Sequence, residues 1–177
     1  MTIWLGTLAL LSLTITTYDD IFTTYIVHRK KGHTMALAEV AEVLGGEHVL
    51  RQPLHNRWDL IALSRKGVPK ASLVHLAHYL SCTLHDLVAL LPVTERTLQR
   101  YTPQQPLNRM VSEHILQLAE VAARGVEVFG DKAAFLAWLH HPNTALANHT
   151  PMSLLNSRFG AEMVVDELGR LEHGIVA

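Results

Sequence analysis

Residues Pro92 to Tyr101 read PVTERTLQRY and concentrate side chains that can read nucleic acid. A helix that enters the major groove needs polar groups near its N-terminus to meet base edges, and cations to meet phosphate. Thr94, Arg96, Thr97, Gln99 and Arg100 supply both. Gln pairs with adenine and Arg with guanine in that groove. Leu98 falls where it would hold the helix against Leu84, Leu87 and Leu91 of a preceding one. An ordinary helical hairpin with a polar outer face carries the same short pattern, so the surrounding charge matters. Residues 28–109 hold 11 Lys/Arg and 6 Asp/Glu, a net +5, although no dense basic run occurs. Phosphate contacts supply most non-specific affinity, so this balance favours DNA without proving it.

Other chemistries find less support. The chain has 12 His and one cysteine, Cys82. A single cysteine excludes a disulfide framework and a Cys-based zinc site, and suits a reducing cytosol. His75 and His78 lie three apart on one helical face, and His140 and His141 are adjacent and diverge. Neither pair has the convergent spacing that zinc needs, so no metal and no cofactor are expected. His114 beside Glu113, and Asp166 beside Glu167, point apart on a helix and lack a nucleophile. No Gly-rich phosphate loop or HExxH motif is present, and an enzyme is not expected.

The elements that must position these residues are helical. Of the 177 residues, 49% are hydrophobic and 18% charged, an ordinary globular balance for one domain or two small ones. Ala36 to Leu44 is a short apolar helix stopped by Gly45 and Gly46. Asn56 caps a helix carrying Trp58, Ile61 and Ala62, with Gly67 as its stop. Pro69 opens the next, with Leu73, Leu76, Ala77 and Leu80 on one face. Thr83 caps His85 to Leu91, and Thr94 caps Glu95 to Tyr101. Thr102 to Pro106 reads as a Pro/Gln linker. Met110 to Phe129 is the longest periodic stretch. Asp131 caps Lys132 to His140, and Pro142 to Thr150 is a loop. Pro151 opens a short helix through Leu155; Gly160 reads as a break before a last helix from Ala161 to Glu172. No strand pair is expected after Met35, so the fold class is all-α.

Two further features frame the chain. Residues 110–177 hold 4 Lys/Arg and 8 Asp/Glu, a net −4, so a basic middle precedes an acidic end and suggests two partners. Residues 1–34 break the pattern. The apolar run Ile3 to Ile15 is too short to span a bilayer, which needs about 20 residues, and its basic cluster Arg29, Lys30, Lys31 follows it rather than precedes it. No membrane partner is expected. An added arm, a weak anchor and an overextended start upstream of Met35 remain open, and the last is favoured.

The end of the chain carries the most specific signal. Phe129-Gly130-Asp131, Trp138-Leu139, Pro142-Asn143, Ala145-Leu146, Pro151, Leu154-Leu155, Gly160 and Leu168-Gly169-Arg170-Leu171-Glu172-His173-Gly174 occur in order. This segment is similar to the toxin-binding domain of the MbcA/ParS/Xre antitoxins. Upstream, Pro92 to Tyr101 and Leu107 to Ala119 resemble the Xre-like DNA-binding part. The resemblance spans roughly Leu54 to Ala177. It implies an Xre-like helix-turn-helix domain over 35–109 and a toxin-binding domain over 110–177, after an extra segment at 1–34. It further implies an antitoxin that masks a RES-domain, NAD-consuming toxin, represses its own operon by binding DNA, and forms a homodimer and larger complexes with the toxin. The implied toxin contacts are Asn143, Leu146, Pro151, Leu154, Arg158, Phe159, Arg170, Glu172, His173, Gly174, Ile175, Val176 and Ala177. Asn148-His149 departs from the Gly and basic residue common before the Pro. The alternative is a stand-alone helix-turn-helix regulator whose C-terminal part only dimerises.

Overall fold

Capping chemistry sets most helix ends in the computed structural model, which describes residues 37–174. The expectations for residues 1–34 and for the tip Ile175, Val176 and Ala177 lie outside the described residues. Helix α1 occupies 37–43 and is closed by Gly45 and Gly46, both at positive φ (99° and 77°). After α2 (Glu47–Leu50), Asn56 starts α3 (Arg57–Lys66) through a reciprocal cap. Its Oδ1 accepts from Trp58 N at 2.8 Å, and Asp59 Oδ2 accepts from Asn56 N at 3.0 Å. That cap fixes where the helix starts, and the buried face, packed on a later long helix, carries Leu60 and Leu63. Trp58, Ile61 and Ala62, expected as the apolar stripe, point to solvent instead, with Trp58 78% exposed.

Helix α4 (Ala71–Tyr79) buries Leu73, Leu76 and Ala77, with Leu80 buried just beyond it. Helices α5 (Leu84–Ala89) and α6 (Glu95–Gln99) follow, the latter ending two residues before the expected Tyr101. Residues 102–106 are not a free linker. Ala71 N donates to Pro103 O at 2.8 Å, Lys70 N to Gln105 O at 3.1 Å, and Leu107 N to Val68 O at 2.9 Å. These bonds tie the exit of α6 to the entry of α4. Gly67 permits the approach, because a Cβ there would sit 2.3 Å from Leu107 O.

Helix α7 (Arg109–Phe129) runs through the middle and packs on α3, on α8 (Lys132–His140) and on α10 (Arg158–Glu172). One buried cluster continues from Leu37 to Leu168, so the described residues 37–174 belong to a single compact unit. Asn143 caps a 3-10 turn at Thr144–Leu146, and Thr150 caps α9 (Pro151–Leu154). Gly160 does not break a helix, contrary to expectation. Ser157 caps α10 three residues earlier, its Oγ accepting from Gly160 N at 3.1 Å. Gly160 instead lets α10 cross α9, since a Cβ would lie 2.0 Å from Leu154 O. The β pairing among the described residues amounts to isolated bridges, Pro69 with Pro106 and Asn143 with His149. No described helix is long and apolar enough to cross a membrane.

Candidate DNA-facing and toxin-facing surfaces

The first surface is built by α5, a turn and α6. Thr83 caps α5 through a box with Asp86: Thr83 Oγ1 donates to Asp86 Oδ2 at 2.6 Å. Hydrogen bonds from the Thr83 hydroxyl and amide hold the Asp86 carboxyl below its usual range. Thr94 caps α6, its Oγ1 accepting from Thr97 N at 3.3 Å and lying 3.0 Å from Thr97 Oγ1. Leu98 is buried with Leu87 and Leu91, as a hairpin of this kind requires. Leu84 was expected in that cluster and is exposed, because it is the first residue of α5 and sits at its outer edge. Thr94, Arg96, Thr97, Gln99 and Arg100 all face solvent. Lys70 Nζ donates to Tyr101 O at 2.8 Å and anchors the end of this face to the α4 entry.

One contact on this surface escapes sequence spacing. His85 Nδ1 donates to Glu95 Oε1 at 2.6 Å, joining α5 to the first residue of α6. The hydrogen bond to Glu95, with its charge, holds the His85 pKa above the ordinary imidazole value. Other described histidines bond backbone carbonyls or face solvent. His114 Nε2 donates to Leu155 O at 2.9 Å and His140 Nε2 to Leu80 O at 2.8 Å, and His75 and His78 are exposed. No group of three metal-ligating side chains occurs among the described residues.

The second surface is the C-terminal part. Phe129, Phe135 and Trp138 stack at 5.6–6.3 Å between centroids where α7 meets α8. Trp138 is half-buried, with its Nε1 enclosed and lacking a hydrogen-bond partner. The implied toxin contacts divide by accessibility. Leu146 and Pro151 are buried and hold the 142–150 loop and α9 in place. Asn143 is half-buried and spends its carbonyl on Ala145 N at 2.9 Å, so it shapes the loop. Leu154 is half-buried; Arg158 is exposed and pairs with Glu162 at 2.8 Å. Phe159 is 78% exposed. Its neighbour one turn on, Met163, is also exposed and was missed, although the i,i+4 spacing from Phe159 signals it.

The last turns of α10 are committed within the chain. Arg170 Nη2 lies 2.5 Å from Glu167 Oε2. Glu167 is buried, and no group donates to that oxygen with hydrogen-bond geometry, so the contact is an ion pair and little more. Glu172 pairs with Arg124 of α7, which also bonds Glu127 at 2.9 Å. Burial lowers the Arg124 pKa, but these two carboxylates outweigh it and the net shift is upward. His173 and Gly174 are exposed beyond the helix.

Comparison with known proteins meets these two surfaces. A family model described as the antitoxin Xre-like helix-turn-helix domain matches residues 59–120. A second, the antitoxin Xre/MbcA/ParS C-terminal toxin-binding domain, matches 124–174. A curated protein named Antitoxin Xre from Yersinia enterocolitica is 38% identical over 77 residues, which is 43% of this chain and 48% of that protein. Another of that name from Photorhabdus laumondii is 37% identical over 67 residues, 37% of this chain and 45% of that protein. The chain thus aligns with about half the length of these relatives. With both models matched in sequence order on an all-helical unit, the chain belongs to the Xre/MbcA/ParS antitoxin family and carries its Xre-like helix-turn-helix followed by its toxin-binding domain.

Proposed function

We propose that this chain is the antitoxin of a type II pair, that it masks a RES-domain toxin which consumes NAD, and that it represses its own operon through α6. The observation that carries the toxin reading is Phe159, a large aromatic 78% exposed on α10 inside the matched toxin-binding segment. With Met163 it makes an apolar stripe on the solvent face of α10, and exposed aromatics of this kind are the anchors from which interfaces draw most of their affinity. The net −4 of residues 110–177 would steer this face towards a site that binds the NAD pyrophosphate. The DNA reading is supported by the exposed polar face of α6 and the net +5 of residues 28–109. The proposed setting is the cytosol, and the proposed DNA-bound form is a homodimer, since paired half-sites are how a short reading helix reaches useful affinity.

Co-purification tests this. Tagged chain co-expressed with a RES-domain protein encoded beside it should retain that protein, and Phe159→Asp should release it while the isolated chain stays folded. Failure to retain the RES protein, with self-association intact, would favour a stand-alone regulator instead.

A further inference from the structure

Glu95 places a half-exposed carboxylate at the first position of α6, the helix proposed to face DNA. An anion there opposes phosphate, whose field dominates any approach to the duplex. His85, ten residues earlier on α5, meets that carboxylate at 2.6 Å, and its imidazole is 79% exposed. As a stability element an exposed pair of this kind contributes little. Its consequence is the charge of the DNA face: an imidazolium cancels Glu95, and a neutral imidazole leaves it bare. We propose that His85 is a positioning residue for DNA reading, which in its protonated form neutralises and clamps Glu95 and so makes binding by α6 depend on proton uptake. This rests on the reading of α6 as the DNA-facing helix.

The neighbouring carboxylate agrees in sign, and a neighbouring cation opposes it. On α5, Asp86 adds a carboxylate that favours the protonated ring. Its own charge is held by Thr83 and felt by His140 of α8. On α6, Arg96 follows Glu95 in sequence and is exposed. With the His85 pKa raised, the imidazolium form prevails below that value and is lost as pH rises through it. Phosphate brought near would favour the same form, so DNA binding draws in a proton, and affinity falls with rising pH by at most about tenfold per unit.

The test is fluorescence anisotropy with a duplex from the region immediately upstream of the coding sequence, at fixed ionic strength, from about pH 5.5 to about pH 8.5. The full chain should lose affinity about three- to tenfold across that range. Glu95→Gln should stay tight at high pH with a flatter profile, and His85→Lys, a fixed cation, should stay tight throughout. His85→Ala should be weak throughout, with helix content unchanged by circular dichroism. Profiles of Glu95→Gln and His85→Lys that match the parent would overturn the inference while leaving α6 as the DNA helix. Absence of binding by the parent at every pH would overturn both.

Discussion

Arg170→Ala should destabilise the fold before it affects any partner. The Glu167 side chain is 8% exposed and its Oε2 lies 2.5 Å from Arg170 Nη2, with no donor in hydrogen-bond geometry to replace it. At an effective dielectric near 20, two unit charges about 4 Å apart attract by roughly 4 kcal/mol before desolvation is counted. Removing one partner of a fully buried pair costs about 3–5 kcal/mol. The guanidinium is 44% exposed, so water reaches the site and screens it. The expected loss is therefore about 1–3 kcal/mol, or roughly 3–10 °C in Tm for a unit of this size. Adding Glu167→Gln should recover much of it, because a neutral amide tolerates burial better than an unpaired carboxylate. Urea unfolding of the single variants and the double variant measures the coupling. An Arg170→Ala protein within about 0.5 kcal/mol of the parent would refute the idea that this pair supports α10. The same pairing means that lost neutralisation by Arg170→Ala alone cannot be assigned to a toxin contact, and the double variant is the cleaner probe.

Two further expectations follow from local geometry. Gly160→Ala puts a Cβ 2.0 Å from Leu154 O and should cost about 1–3 kcal/mol or more, whereas Gly169→Ala on the same helix meets nothing within 4 Å and should stabilise by about 0.5–1 kcal/mol, both read from denaturant midpoints. The Asp86 carboxyl is held low by Thr83, so its contribution is present above its unfolded pKa of about 3.9 and is lost as pH falls through the lower folded value; in Thr83→Ala the Asp86 titration midpoint, read by nuclear magnetic resonance, should move upward toward the unfolded value and that contribution should shrink.

The helix boundaries legible in the sequence were those written in capping chemistry. Asn56, Thr83, Thr94, Asp131 and Gly130 all act where their residue types predict, because a cap is a local event that needs no tertiary partner. The errors came where a distant segment decides. Gly160 reads as a stop in isolation, and only the crossing of α9 over α10 reveals it as a packing glycine. Residues 102–106 look like a linker until the α4 entry supplies their hydrogen-bond partners. Trp58 and Ile61 have helical spacing, yet packing of α3 on α7 takes the Leu60 and Leu63 face inward. At the two surfaces, the polar face of α6 is legible from residue type, whereas Phe159 is singled out only by the resemblance, since a phenylalanine by type is expected inside. The His85–Glu95 and Arg124–Glu172 contacts join separate elements, and spacing along the chain does not encode them.

The most direct measurement of the central claim is a single titration against the neighbouring RES-domain protein, following NAD consumption, with parallel anisotropy on the upstream duplex. Phe159→Asp with Met163→Asp should lose inhibition of NAD consumption and keep DNA binding. Arg96→Ala with Gln99→Ala and Arg100→Ala should keep inhibition and lose DNA binding. Two variants that lose both activities together while remaining folded, or that lose neither, would contradict an antitoxin whose toxin-facing and DNA-facing surfaces are separate.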